Sequence, residues 1–164
     1  MKRFFILGIL LVALLASGLI FRSIQSSDNL AQGEESPELI VENNDSVVDL
    51  SSFGGKYVLV DFWSASDAQS RIKSNEYNAL DLESDPNVER VSINFDRSKR
   101  LFEEIVSRDN LNRETQYHVD RNEADRIIRD FDLKDGYKSY LIAPDGRIEA
   151  VNPPVSYLMR KFRA

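Results

Sequence analysis

Cysteine is missing from all 164 residues of the chain, and histidine and tryptophan occur once each. The first absence is chemical in its consequences. Disulfide exchange proceeds by thiolate attack through a mixed disulfide, and no other side chain performs that step. A lipid anchor on an N-terminal cysteine is excluded with it. Without thiolates and with a single imidazole, a metal site is reduced to carboxylates around a hard cation. The acidic cluster DLESD, Asp81 to Asp85, lacks the spacing and the glycine of a calcium loop and reads as a solvated helix end. No metal or cofactor is expected.

Positive charge is also in short supply. Lys and Arg number 21 against 27 Asp and Glu, a formal net charge of −6. Residues 1–22 hold Lys2, Arg3 and Arg22 and no acid, so the remainder carries −9. A domain of that sign repels phosphate backbones and anionic lipid, and nucleic-acid binding is not expected.

What is abundant is core-forming: 42% of residues are apolar and 10% aromatic, enough for one packed domain plus appendages. The N-terminus reads MKRFFILGILLVALLASGLIFRS, with an unbroken apolar run of 18 residues from Phe4 to Phe21. That length is above a usual signal-peptide core and at the lower limit for a spanning helix. Residues 1–22 are therefore either an uncleaved signal anchor or a cleaved signal peptide, with Ala16, Ser17 and Gly18 as cleavage-type residues. The remainder is placed outside the cytoplasm, either held at the cytoplasmic membrane and facing the periplasm or free in it, with the slight excess of basic residues before the run favouring an inside N-terminus. Residues 23–36, SIQSSDNLAQGEES, are polar and read as a linker.

Beyond it, Leu39–Val41 and Val47–Leu50 flank Asn43, Asn44 and Asp45, a β-hairpin pattern. After Gly54 and Gly55, YVLVDFW is a continuous apolar run of the kind a central strand covered on both faces shows. A helix follows, with Asp67 or Ser66 as its cap and Ile72, Tyr77, Leu80 and Leu82 as its apolar positions. VERVSINF alternates as a strand. Ser98 caps the next helix, with Leu101, Phe102, Ile105 and Val106 as one stripe. TQYHV reads as a short edge strand, and RNEADRIIRDFDL as a helix with Ala124, Ile127, Ile128 and Phe131 inward. YLIAPDGRIEAV is strand, turn, strand, and PPVSYLMRKF starts a last helix. Strands alternating with helices and closing on a hairpin predict an α/β fold with a mixed central sheet and helices on both faces.

This element order, the opening PELIVENNDSVVDLSSFGGKYVLVDFW and the closing YLIAPDGRIEAVNP resemble the thioredoxin-like superfamily, specifically its membrane-tethered TlpA/ResA-type thiol-disulfide oxidoreductases. The resemblance spans about residues 37–160 and implies a thioredoxin-like domain over 37–164. In that family a Trp-Cys-x-x-Cys motif opens the helix after the Phe-Trp strand. Here Phe62 and Trp63 stand, Ser64 and Ala65 make the turn, and the two cysteine positions fall on Asp67 and Ser70. The family's cis-proline falls on Tyr137, after Gly136. A non-proline cis bond costs about 3–4 kcal/mol, so that peptide is expected trans.

The resemblance implies a redox-inactive relative. Its former active-site groove, formed by Trp63, Ser64, Ala65, Asp67, Ala68, Gly136 and Tyr137, would bind a protein or extended peptide in the cell envelope. Fold alone would label such a chain a thiol-disulfide oxidoreductase. The competing readings are enzymatic: Asp67 with Ser70 as acid and hydroxyl in non-thiol chemistry, or Ser70 with His118 as nucleophile and base. No Gly-x-Ser-x-Gly motif supports the second.

Overall fold

β3, Tyr57–Trp63, is the middle of a five-stranded sheet, and its burial is continuous from Val58 to Trp63 because both faces are covered. The computed structural model describes residues 30–43 and 46–162. The proposed membrane-directed segment 1–22 and the linker as far as residue 29 lie outside the described residues. Among those described, no helix is long and apolar enough to cross a membrane.

In chain order the elements are β1 (Ile40–Asn43), β2 (Ser46–Asp49), β3, α1 (Ala68–Asn78), β4 (Val88–Asn94), α2 (Lys99–Arg108), β5 (Gln116–His118), α3 (Arg121–Asp130), β6 (Ser139–Ile142), β7 (Ile148–Val151) and α4 (Val155–Phe162). β1 and β2 form the predicted hairpin. The sheet order is β5-β4-β3-β6-β7, with β3, β4 and β5 parallel and β6 and β7 antiparallel to their neighbours. This is the mixed α/β architecture predicted.

The period of two along β3 divides the interior. Val58, Val60 and Phe62 face α3 and the hairpin, in a core with Val41, Ile127 and Tyr140. Phe62 is its centre, with the Phe131, Phe95 and Tyr140 rings at 4.9, 5.9 and 6.3 Å. Leu59 and Trp63 face the opposite way, Leu59 against α1 and α4 through Tyr77 and Leu158, Trp63 against α2 through Phe102, Ile105 and Val106. Tyr77 is buried but not orphaned: its hydroxyl donates to the Pro153 carbonyl at 2.7 Å, tying α1 to the start of α4. That burial holds the phenol well above its ordinary pKa.

Three expectations need correction. Ile72 is 60% exposed, because the inward face of α1 is the row Ser70, Ser74, Tyr77, to which residue 72 is opposed at about 100° per residue. The row is polar because it covers polar β-strand residues, described below. Leu101 is 39% exposed at the edge of the α2 stripe, which Phe102, Ile105 and Val106 carry without it. Finally, the end of the presumed linker is part of the domain. Gly33 N–H donates to Ile148 O at 2.8 Å, Ile148 N–H to Glu34 O at 2.8 Å and Ser36 N–H to Gly146 O at 2.9 Å, so Gly33–Ser36 lies along the outer edge of β7. Polarity of a segment does not prevent backbone pairing, and a sheet edge offers it partners.

Candidate functional site

The carboxyl end of β3 and the tip of α1 are joined by Ser64–Asp67, and one buried carboxylate sets the shape of that turn. Asp96, 6% exposed and two residues past β4, accepts from Ser64 Oγ at 2.7 Å, from Ala65 N–H with both oxygens at 3.0 Å, and from Asn94 Nδ2 at 2.8 Å. Its own backbone carbonyl accepts from His118 Nε2 at 2.7 Å, which assigns the ring proton to Nε2. The sequence reading missed Asp96. Its signal was an acid directly after an apolar strand and opposite the turn.

Asp67 is the N-cap of α1. Its backbone is extended, and its Oδ1 accepts from Ser70 N–H at 2.7 Å. The Ser70 hydroxyl accepts from Ser64 N–H at 3.3 Å and donates to the Asp67 carbonyl at 3.2 Å. Asp67 and Ser70 thus stand together at the helix tip, held by each other and by the turn. Arg71 leaves the site: it forks onto Asp109 beyond the end of α2, with Nε and Nη2 each 2.7 Å from a carboxylate oxygen. The guanidinium holds the Asp109 carboxyl below its usual pKa.

Opposite the tip is the loop before β6. Gly136 has φ +133°, a conformation that favours glycine, and no cis peptide occurs among the described residues, so Tyr137 follows a trans bond. Tyr137 is half-buried and stacks on Phe95, with centroids 5.4 Å apart and planes at 28°. Burial pushes its phenol above the ordinary pKa. Between the tip and this loop is a cavity of about 350 Å³ walled by Asp61, Gln69, Ser70, Lys73, Tyr137 and Asn152. Its floor is closed by a buried polar cluster that replaces the apolar packing of an ordinary helix on a sheet. Arg90 Nε donates to Asp61 Oδ1 at 3.2 Å, Ser92 Oγ to Asp61 Oδ2 at 2.8 Å, and Arg90 Nη2 to the carbonyl and hydroxyl of Ser74 at 3.0 and 3.1 Å. This is why the inward row of α1 is serine-rich.

The groove residues named from sequence separate into three groups. Tyr137 lines the cavity, with Gly136 exposed beside it, whereas Asp67, the α1 cap, and Ala65, half-buried in the turn, do not line it. Trp63 and Ser64 are not groove residues. Trp63 is fully buried against α2, with Nε1 donating to Gln116 Oε1 at 3.1 Å, and Ser64 is 3% exposed and committed to Asp96. Alternation along β3 places residue 63 on the α2 face, which the family comparison of motifs alone did not reveal. Ala68 belongs to a shallower depression on the other side of α1, with Arg71, Ile72 and Asp109. Gln69, Lys73 and Asn152 line the cavity and were missed, because their role depends on which side of α1 and which end of β7 meet there.

Among the described residues, none of the pairs named from the sequence is assembled as nucleophile and base. The Ser70 proton goes to a backbone carbonyl, Asp61 is occupied by Arg90 and Ser92, and His118 lines a different cleft. No group of three or more His, Asp or Glu side chains with metal-binding geometry occurs among the described residues.

No known family profile and no curated protein matches the sequence. Solved structures do. A thioredoxin-like protein from Parabacteroides distasonis superposes with a TM-score of 0.70 at 28% identity, over 83% of this chain and 97% of that one. The thioredoxin domain of a thiol-disulfide oxidoreductase from Bacteroides vulgatus gives 0.70 at 23% identity, over 82% and 97%. A secreted thiol-disulfide isomerase from Corynebacterium glutamicum gives 0.61 at 15%, over 77% and 82%. The chain has the thioredoxin-like fold of these thiol-disulfide proteins, built without a single cysteine.

Proposed function

We infer that this protein is a redox-inactive, thioredoxin-like binding module held in the cell envelope, which takes an extended protein segment in the cavity between Ser70 and Tyr137. The observation that carries the reading is the state of the α1 tip. The frame that holds a thiolate in thiol-disulfide proteins is kept, with the Ser70 N–H bonded to the Asp67 carboxylate and the Ser70 hydroxyl engaged on both sides. The cavity beside it remains open, with a half-buried aromatic ring as its wall. Aromatic side chains in such positions serve as binding anchors. The location outside the cytoplasm draws support from the N-terminal apolar run and from the secreted isomerase among similar structures.

The enzymatic readings find no support in the site, since neither Ser70 nor Asp67 has a free partner for proton transfer. The test uses the full chain in detergent micelles with a reduced and carboxymethylated, permanently unfolded reporter protein, followed by fluorescence polarisation. Binding that weakens at least about fivefold in Tyr137→Ala, with no disulfide-reductase turnover in the same preparation, is the expected result. Unchanged binding in that variant would remove the cavity from the account.

A further inference from the structure

Tyr137 has a second side. Across its ring from the cavity just described lies a larger cleft of about 580 Å³, walled by Phe95, Arg97, Lys99, Arg121, Ile128 and Tyr137. We propose that this cleft is an acidic-residue subsite, where Arg97 and Arg121 receive a side-chain carboxylate of an extended peptide while Phe95, Tyr137 and Ile128 pack its apolar neighbour. The proposal deepens the peptide-binding reading and rests on it, because Tyr137 walls both cavities.

Charge pairing carries the argument. Among the described residues, every arginine except Arg97, Arg121 and Arg160 bonds a carboxylate or a backbone carbonyl. Two of these three open onto the same cleft, on a chain whose net charge is −6 and which therefore has acids to spare. The carboxylates beside them keep their charge, but Asp96 and Asp120 bond other groups and neither guanidinium is held in an ion pair. Asp96 is consumed by the Ser64–Ala65 turn, and Asp120 accepts from Asn122 N–H at 2.8 Å and Glu123 N–H at 3.1 Å as the cap of α3. Asp125, the third lining carboxylate, is bonded to neither guanidinium, which leaves both donor forks open to an incoming carboxylate. A guanidinium offers a planar fork of donors matched to a carboxylate. The ten-residue helices α2 and α3 also begin at Lys99 and Arg121, so the positive ends of two helix dipoles converge on the cleft. Phe95 and Tyr137 supply the apolar half of the subsite as one stacked surface.

The experiment is a titration of the full, ¹⁵N-labelled chain in detergent micelles with two probes, acetyl-Ala-Phe-Glu-Phe-Ala-amide and its Gln counterpart. The expected result is about tenfold tighter binding of the Glu peptide, shifts at the Arg97 and Arg121 amides, and loss of the difference in Arg97→Gln/Arg121→Gln. Both arginines are exposed, so the double variant folds. Equal affinity for the two peptides, a preference that survives in the double variant, no binding of either peptide, or the same shifts from sodium acetate at equal concentration would each overturn the subsite. Gln69→Ala/Lys73→Ala separates the two cavities. It weakens both peptides alike if the first cavity holds the peptide backbone, and leaves the Glu preference in place.

Discussion

Arg90 and Asp61 meet on neighbouring parallel strands beneath α1, with side chains 0% and 2% exposed and 3.2 Å between Nε and Oδ1. A charge pair so completely removed from water is tolerated only because Ser74, Ser92 and Asn78 supply the remaining bonds. Arg90→Leu leaves the Asp61 carboxylate buried and short of its main partner, and should destabilise the fold by about 3–5 kcal/mol. Arg90→Leu/Asp61→Asn should recover a large part of that loss. Urea denaturation of the three proteins, followed by circular dichroism, decides it; equal stabilities would show the pair to be solvated in solution.

The helix tip carries a second prediction. Asp67→Ala removes the α1 cap and should cost about 1 kcal/mol, whereas Asp67→Ser, which keeps an acceptor, should cost a few tenths. The same frame should accept sulfur. Asp67→Cys/Ser70→Cys should lose maleimide reactivity after mild oxidation, since the two positions are already bonded to each other across one helical turn. Thiols that stay fully reactive after oxidation would mean that the tip does not bring the two side chains together.

Trp63 makes its burial directly measurable, as the chain's single tryptophan. Native fluorescence should be blue-shifted and resistant to acrylamide, and it should be unmoved by any ligand of the two cavities. Trp63→Ala should cost about 3–5 kcal/mol through the void it leaves against α2. Emission at the wavelength of a solvated indole would place the ring in the groove after all.

Acid sensitivity should reside partly at Asp109. Its carboxyl is held below the ordinary value by Arg71, so its contribution is fully present above the unfolded-state pKa of about 4. That contribution is lost as pH falls through the lower folded value. Asp109→Asn should lower stability at neutral pH and flatten the pH dependence below about pH 4. A wild-type slope unchanged by the substitution would assign acid unfolding to other carboxylates.

Much of the fold was legible because its signals are local. The continuous YVLVDFW run and the Ser98 and Asp67 caps each follow from a few consecutive residues, and each element stands where its pattern placed it. What was not legible depends on pairs distant in sequence. Ile72 seemed an inward residue because a polar inward row at 70, 74 and 77 makes sense only once Asp61 and Arg90 are known to lie under it. The family motif points Trp63 toward a groove, although the face it occupies is fixed by Leu59 and Asp61, four and two residues earlier. Asp96 and Arg121 carry no motif; the sheet order β5-β4-β3 is what gathers them at one end.

The strip Gly33–Ser36 along β7 gives the molecule a direction. β7 runs parallel to β3, and the strip bonds its first residue and the turn before it, whereas Asn152 at its far end borders the Tyr137 cavity. The described polypeptide therefore enters this body at the end of the sheet opposite the Tyr137 cavity. Anything fastened upstream carries the two clefts outward, as a stalk carries a flower head. The strip also occupies the first position of the outer β7 edge, at Ile148, where a foreign strand would otherwise begin to pair.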